Sequence, residues 1–231
     1  MKLPQWTWAG DLLGRIGIVV LFANGAWVKS LAIYHALRDW GNASPDFEAL
    51  RLLSEVACLA FLVLIVTTTI VRLKPLGSAE GIEPRFTALA GTFTMGFLVL
   101  LPPTIALPPA FEVFALCLTL AGFSLSAYVL YWLGRSFSIM AEARRLVTSG
   151  PYAIVRHPLY VVEEIAVLGI LLLNLSLPAI LLITVQWTLQ MRRMFNEERV
   201  LARAFSEYAA YAAETPRFIP RWPARPARKP A

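Results

Sequence analysis

Residues 50–73, LRLLSEVACLAFLVLIVTTTIVRL, form an almost unbroken apolar run. A helix that crosses a bilayer needs about 20 mostly apolar residues, and this run has that length and character. Three runs like it occur at Leu12–Leu37, Phe86–Leu107 and Phe111–Leu133. The third span contains Pro102-Pro103, which predicts a kink or an early end. Two shorter runs follow, Leu159–Leu173 and Ala179–Leu189, joined by Asn-Leu-Ser-Leu-Pro at 174–178. They read as a helical hairpin with a tight turn at Pro178, either tilted or crossing incompletely. The whole 231-residue chain is 58% hydrophobic and 16% charged. Soluble domains carry about 25% charged residues, so the composition points to one membrane-embedded domain. The expected fold is all-α: an integral membrane helical bundle of about six transmembrane helices, the last two a hairpin, plus a C-terminal amphipathic helix. MKLPQWTWAG at the start lacks a compact apolar region followed by a small-residue cleavage site, so the first apolar segment is expected to be retained as a span.

Lysines and arginines give the expected orientation. The 2–3 connection carries Arg72, Lys74 and Arg85, and the 4–5 connection carries Arg135, Arg144, Arg145 and Arg156. The tail carries Arg217, Arg221, Arg225, Arg228 and Lys229. The 3–4 connection, PPTIALPPAFE, has no basic residue, and neither does the hairpin turn. A multi-pass protein with both ends and its chemistry in the cytosol satisfies these signs. The 1–2 connection departs from them with Arg38 and Arg51, beside Asp39, Asp46 and Glu48. The net charge of +6 suits the surface of a lipid bilayer, and nothing resembles a folded nucleic-acid module. Three regions follow from content: membrane helices over 1–133, a chemistry-bearing region over 134–220, and a basic Pro/Arg-rich tail over 221–231 that is expected to be disordered.

Polarity concentrates at 149–164, SGPYAIVRHPLYVVEE. Gly150-Pro151 marks a turn, and Pro158 suits the first position of a helix. His157 precedes a proline and is pushed out of the α region, to the N-cap. Free backbone N–H groups and the positive end of the helix dipole gather there and would welcome a ligand carboxylate. The alternative is that Arg156 is a membrane-surface anchor and His157 an interfacial cap. Glu163 and Glu164 fall in the first turns of a span, where carboxylates face a cavity or a partner. Further along, RRMFNEERVLARAFSEYAAYAA at 192–213 repeats apolar residues at helical spacing, as an amphipathic helix leaving the membrane does. Its Arg193 and Glu197 are four apart and share a face, which by spacing alone reads as a surface salt bridge. Lys29 within the first span is expected to snorkel to an interface, and His35 to be interfacial. Cys58 and Cys117 form no C-x-x-C pair and read as small apolar residues. The two histidines lie far apart, so no metal site is expected. GRIGIVV at 14–20 lacks the dinucleotide-binding glycine spacing.

The combination G-x-Y-x-x-x-R-H-P-x-Y, then E-E-x-x-L-x-x-x-F-x-x-Y-x-x-Y and R-F-I-P, resembles the isoprenylcysteine carboxyl methyltransferase family and the related membrane phospholipid N-methyltransferases. The likeness covers about the last 90 residues. It implies an S-adenosylmethionine-dependent methyltransferase acting on a lipophilic acceptor from a cytosol-facing pocket. Tyr152, His157, Pro158, Leu159 and Tyr160 would line that pocket, with Leu146 and Val147 in contact. Glu197 would bind the cofactor, at its ammonium group, and Arg193 would face an acceptor carboxylate. Arg156, with the N-cap amides, would anchor the cofactor carboxylate. An amine acceptor would need a base, Glu163 or Glu198. Tyr208, Tyr211 and Arg217 also match the pattern. Val162 stands where relatives often have Gly, and Ala141 where they often have Pro. Two other readings remain open: an NADPH-dependent membrane sterol reductase, which shares a similar C-terminal motif, and a noncatalytic scaffold or transporter.

Overall fold

The computed structural model describes residues 6–98 and 100–221. The expected tail therefore lies, from residue 222 onward, outside the described residues. Six long helices run in chain order: α1 (Trp6–Arg38), α2 (Pro45–Val71), α3 (Glu83–Leu98), α4 (Pro109–Leu133), α5 (Pro158–Leu173) and α6 (Leu177–Ala204). A short helix follows, α7 (Tyr208–Glu214). The chain is thus a helical membrane bundle. Among the described residues, three segments are long and apolar enough to cross a membrane, namely Gly14–Arg38, Pro45–Val71 and Pro109–Ser136. Helices α3 and α5 have 16 residues each. At a rise of about 1.5 Å per residue they reach about 24 Å, short of a 30 Å hydrocarbon core. The early end of α3 is the one that Pro102-Pro103 predicts. Beyond it, the amides of Thr104 and Ile105 both donate to Leu175 O, at 3.0 and 3.1 Å, tying the 3–4 connection to the hairpin turn.

Two expectations change. The second arm of the hairpin and the first part of the amphipathic segment, to Ala204, are one continuous helix, α6, of 28 residues. Ser176 caps its start by accepting from the Ala179 amide, and Pro178 sits in its first turn. No proline or glycine interrupts 179–204, so the helix passes from its apolar half into its charged half without a break. It ends at Phe205, which is extended, and the chain turns before α7. Lys29 does not snorkel. Its Nζ meets Glu55 Oε2 of α2 at 2.7 Å, because a carboxylate on the neighbouring helix neutralises it where it stands. Cys58 is buried, whereas Cys117 lies on an outer face.

Helices α4 and α5 pack on each other most extensively, and α2 joins them on the other flank of α4. Small residues make the α4–α5 approach: Ala115, Thr119, Gly122 and Ser126 on α4, and Ala166 and Gly169 on α5. A Cβ on Gly122 would sit 2.2 Å from the Ala166 backbone nitrogen. One on Gly169 would sit 2.4 Å from Thr119 Oγ1. Lipid offers no hydrophobic drive between helices, so such close backbone contact carries much of the association. The α5–α6 pair is bridged by polar side chains instead. Glu164 accepts from Gln186 Nε2 at 3.1 Å and from the Trp187 indole, and Glu163 accepts from Gln190 Nε2 at 3.5 Å. Both acids face a partner, as carboxylates at that depth must.

At one end of the bundle, Arg15 and Arg135 donate to the last carbonyls of α2, Ile70 and Val71. There too the loop after α2 pairs with the loop after α4. Strand β1 (Gly77–Ser78) runs antiparallel to β2 (Glu142–Ala143) and lies against α6. A core of Ile18, Phe61, Ile65, Val129 and Leu130 continues directly into Phe137, Ile139, Tyr152 and Leu159. Replacing Gly122 with Ala forces the α4 and α5 backbones apart and is expected to destabilise the protein by about 1–3 kcal/mol. Gly17→Ala, with nothing within 4 Å, is expected to be neutral or slightly stabilising. Thermal unfolding of both variants in detergent checks this contrast.

Candidate functional site

The end of the bundle that carries the strand pair also holds a cavity of about 810 Å³, its open mouth included. Leu133, Phe137, Leu146, Val147 and Leu159 make its apolar walls. Tyr152, His157, Tyr160, Tyr208 and Tyr211 add aromatic surface. Arg144, Arg145, Arg156 and Arg193 supply positive charge, and Glu142 and Glu197 supply negative charge. Of the residues that the sequence singled out for the pocket or its chemistry, all but Pro158, Glu163, Glu164, Glu198 and Arg217 line this space. Pro158 opens α5 beneath it, and Glu198 stands behind His157.

Local conformation explains how the loop residues reach the cavity. Gly150 has φ +60°, and a Cβ there would lie 2.6 Å from the Trp132 ring. Only glycine both adopts that backbone and leaves the room. The 3₁₀ turn Gly150–Ala153 that follows buries Tyr152. His157 is the N-cap residue of α5, as its position before a proline implies, but its ring makes no capping bond. Instead the imidazole stacks on Tyr160, with centroids 5.4 Å apart and planes within 2°. The amides of Arg156 and His157 are not offered to a ligand, because they donate to Pro216 O at 2.8 Å and Arg217 O at 3.2 Å.

On α6, the pair Arg193–Glu197 is no exposed surface salt bridge. Their side chains are only 12% and 20% exposed, with Nε 3.1 Å from Glu197 Oε1. Arg193 also donates to Ser138 O at 3.3 Å, and its guanidinium lies 5.3 Å from the centroid of the Tyr160 ring. Tyr160 donates its hydroxyl to the same Glu197 Oε1 at 2.6 Å. Glu197 Oε2 takes part in neither of these bonds, and Glu197 lines the cavity.

Glu198 is the second acid of the pair. Burial works against its charge, but hydrogen bonds from His157 and Arg217 and the nearby charge of Arg156 outweigh it. Together they hold its carboxyl down at about 2. Tyr208 is pushed up to about 12, by burial and then by Glu198, and stays a neutral phenol. Two buried hydroxyls on residues that line the cavity, Ser136 Oγ and Tyr208 OH, have no hydrogen-bond partner among the described residues. Buried polar groups are rarely left that way, so both are free to bond a bound molecule or water.

The 4–5 loop reads from the sequence as one of three polar clusters on the cytosolic side, but no spacing within it singles out Ser136, Ser138, Glu142, Arg144 or Arg145 as cavity residues. The available signal was a cluster of charge in an otherwise apolar chain. Ser138 Oγ and Arg144 Nη2 both donate to Glu142 Oε2, at 2.7 and 2.6 Å, which fixes the loop over the cavity.

Two outcomes follow. Gly150→Ala is expected to lower the unfolding temperature by at least several degrees, since it adds both backbone strain and a clash with Trp132. Glu198 has a folded value below the roughly 4.3 of a free glutamate, so its contribution to stability is complete above that pH. The contribution is lost as pH falls toward about 2. Unfolding midpoints measured from pH 7 to 3 should therefore show wild type converging on Glu198→Gln at the acid end.

Comparison with known proteins bears on the same region. The sequence model of the phospholipid methyltransferase family matches residues 104–208, from within the 3–4 connection to the start of α7. A cobalt-zinc-cadmium resistance protein of Cupriavidus metallidurans is 43% identical over 77 residues, 33% of this chain and 36% of that protein. A nickel-cobalt-cadmium resistance protein of Alcaligenes xylosoxydans xylosoxydans is 33% identical over 81 residues, 35% of this chain and 38% of that protein. The matched stretch thus spans little more than a third of either relative. Among the described residues, no three His, Cys, Asp or Glu side chains group as metal ligands would. Through residues 104–208 the chain matches the phospholipid methyltransferases, the membrane methyltransferase family related to the isoprenylcysteine carboxyl methyltransferases.

Proposed function

We propose that this protein is an integral-membrane methyltransferase that uses S-adenosylmethionine and modifies a lipophilic acceptor at the cytosolic face. One observation carries the reading. Tyr152, His157, Tyr160, Arg193 and Glu197 come from three separate segments and converge on one cavity within the family-matched region. The lining also fits the cofactor by its chemistry. Such a molecule is zwitterionic at one end and a nucleoside at the other. Glu197, with one oxygen outside its internal bonds, suits the ammonium group. Arg144, Arg145 and Arg156 suit the carboxylate. Tyr152, His157 and Tyr160 suit a flat base, and the partnerless hydroxyls of Ser136 and Tyr208 suit ribose or ring nitrogens.

Bound S-adenosylmethionine supplies an electrophilic methyl group on a sulfonium. The protein's part is then alignment and exclusion of water, which together lower the barrier without covalent chemistry. Arg193 is held on three sides, by Glu197, Ser138 O and the Tyr160 face, so its guanidinium is a rigid anchor for a polar head group. A carboxylate acceptor fits such an anchor and needs no base. The apolar walls keep water from the reacting atoms. Cytosolic placement is supported by the basic 2–3 and 4–5 loops, which meet at the cavity end through β1 and β2.

Titration of the purified protein with S-adenosylmethionine and, separately, with NADPH tests the cofactor. Micromolar binding of the first alone is expected, whereas tight NADPH binding without S-adenosylmethionine binding would reject the proposal in favour of a reductase. Glu197→Gln is expected to weaken S-adenosylmethionine about 10- to 100-fold, the worth of a hydrogen bond to a charged group. Arg193→Lys keeps the charge but loses the planar fork. It is expected to lower kcat more than cofactor affinity, in transfer of labelled methyl to extracted membrane lipids and proteins.

A further inference from the structure

We propose that residues 215–218 form a positioning strap for His157, and that Glu198 and Arg217 fix its imidazole in one tautomer at the cavity wall. The strap grips the residue in three ways. Its backbone accepts from the amides of Arg156 and His157, through Pro216 O and Arg217 O. Its Phe218 ring packs on the imidazole at 6.0 Å and 47°, while Tyr160 stacks on the same ring. Its Arg217 side chain reaches Glu198 with Nε at 3.2 Å from each oxygen and Nη2 at 2.9 Å from Oε2. Glu198 Oε1 in turn lies 3.1 Å from His157 Nε2 and 3.4 Å from Arg156 Nε.

An ionised carboxylate only accepts hydrogen bonds. The carboxylate of Glu198 is surrounded by two arginines and stays ionised, so Nε2 of His157 carries the proton and donates it to Oε1. When the ring is neutral, Nδ1 is then its acceptor, with the ring plane set by Tyr160 and Phe218. His157 is buried and lines the cavity, so that acceptor would serve an N–H or O–H of a nucleoside held there. Glu198 lies outside the cavity lining and shares its oxygens among three partners. It is therefore a positioning residue acting through His157. Arg217 stands one step further back.

The second half of this inference rests on the cavity being the cofactor site, but the tautomer does not. The chain has two histidines, so ¹⁵N-histidine labelling of the full-length protein in detergent, with a His35→Gln version for assignment, isolates His157. Wild type is expected to show a protonated Nε2 and an unprotonated Nδ1. Glu198→Ala should average the two nitrogens toward a tautomer mixture and weaken S-adenosylmethionine about tenfold. Arg217→Ala should shift the nitrogens in the same direction by less and cost about threefold, and Arg217→Lys should recover most of both. These fold-changes correspond to the loss of one or part of one charge-assisted bond. Arg217 is 45% exposed, so its variants keep the test open if Glu198→Ala does not fold. A folded Arg217→Ala protein with wild-type nitrogen shifts and affinity would overturn the strap. Expected tautomer shifts in a protein that binds no S-adenosylmethionine would uphold the strap and remove the cofactor reading.

Discussion

One carboxylate joins the parts of the chain that make the cavity. Glu198 on α6 meets Arg156 and His157 from the loop before α5, and Arg217 from the segment after α7. A buried charge of this kind is tolerable only when its lone pairs are taken up, and here they are. The constraint propagates. His157 is oriented, Tyr160 is stacked on it, and Tyr160 in turn bonds the Glu197 that holds Arg193. Tyr211 of α7 closes the arrangement by donating to Tyr152 O at 2.7 Å, on the opposite side of the loop.

Two kinds of packing hold the framework beneath. Between α4 and α5, glycine and alanine let the backbones touch, which suits a solvent that gives no hydrophobic drive between helices. Between α5 and α6, pairs of carboxylates and amides keep the helices in register while leaving their backbones apart. At the cavity end, Tyr160–Glu197 and His157–Glu198 continue that ladder of polar contacts. The same seam that spares the membrane an unpaired acid thus opens into a polar chamber.

Much of this was legible in the sequence because membrane helices must satisfy their own backbones. Run length alone located α1, α2 and α4, and Pro102-Pro103 foretold the end of α3. The proline-bounded RHP stretch placed His157 at a helix start, and family likeness pointed to Arg193 and Glu197. Other features were illegible for identifiable reasons. A change from apolar to charged residues looks like a boundary, yet α6 runs straight through it, because helix propensity is indifferent to the face's polarity. Lys29 looked able to snorkel because its partner, Glu55, lies on another helix. The pairing of 77–78 with 142–143 involves two residues on each side, far too few for a strand signal.

By itself, then, the sequence determined the membrane class, the main helices, the turn at Gly150 and the polar and aromatic residue types that gather at the cavity. Those are properties of local composition and of φ, ψ preferences. The tertiary structure alone decided that Arg193–Glu197 is buried rather than solvated, and that the amides of residues 156 and 157 are spent on residues 216 and 217. It also decided that Glu198 faces His157 rather than the cavity. Each of these depends on which distant segment arrives at a given side chain. Burial and partner choice are set by that arrival and not by neighbours along the chain.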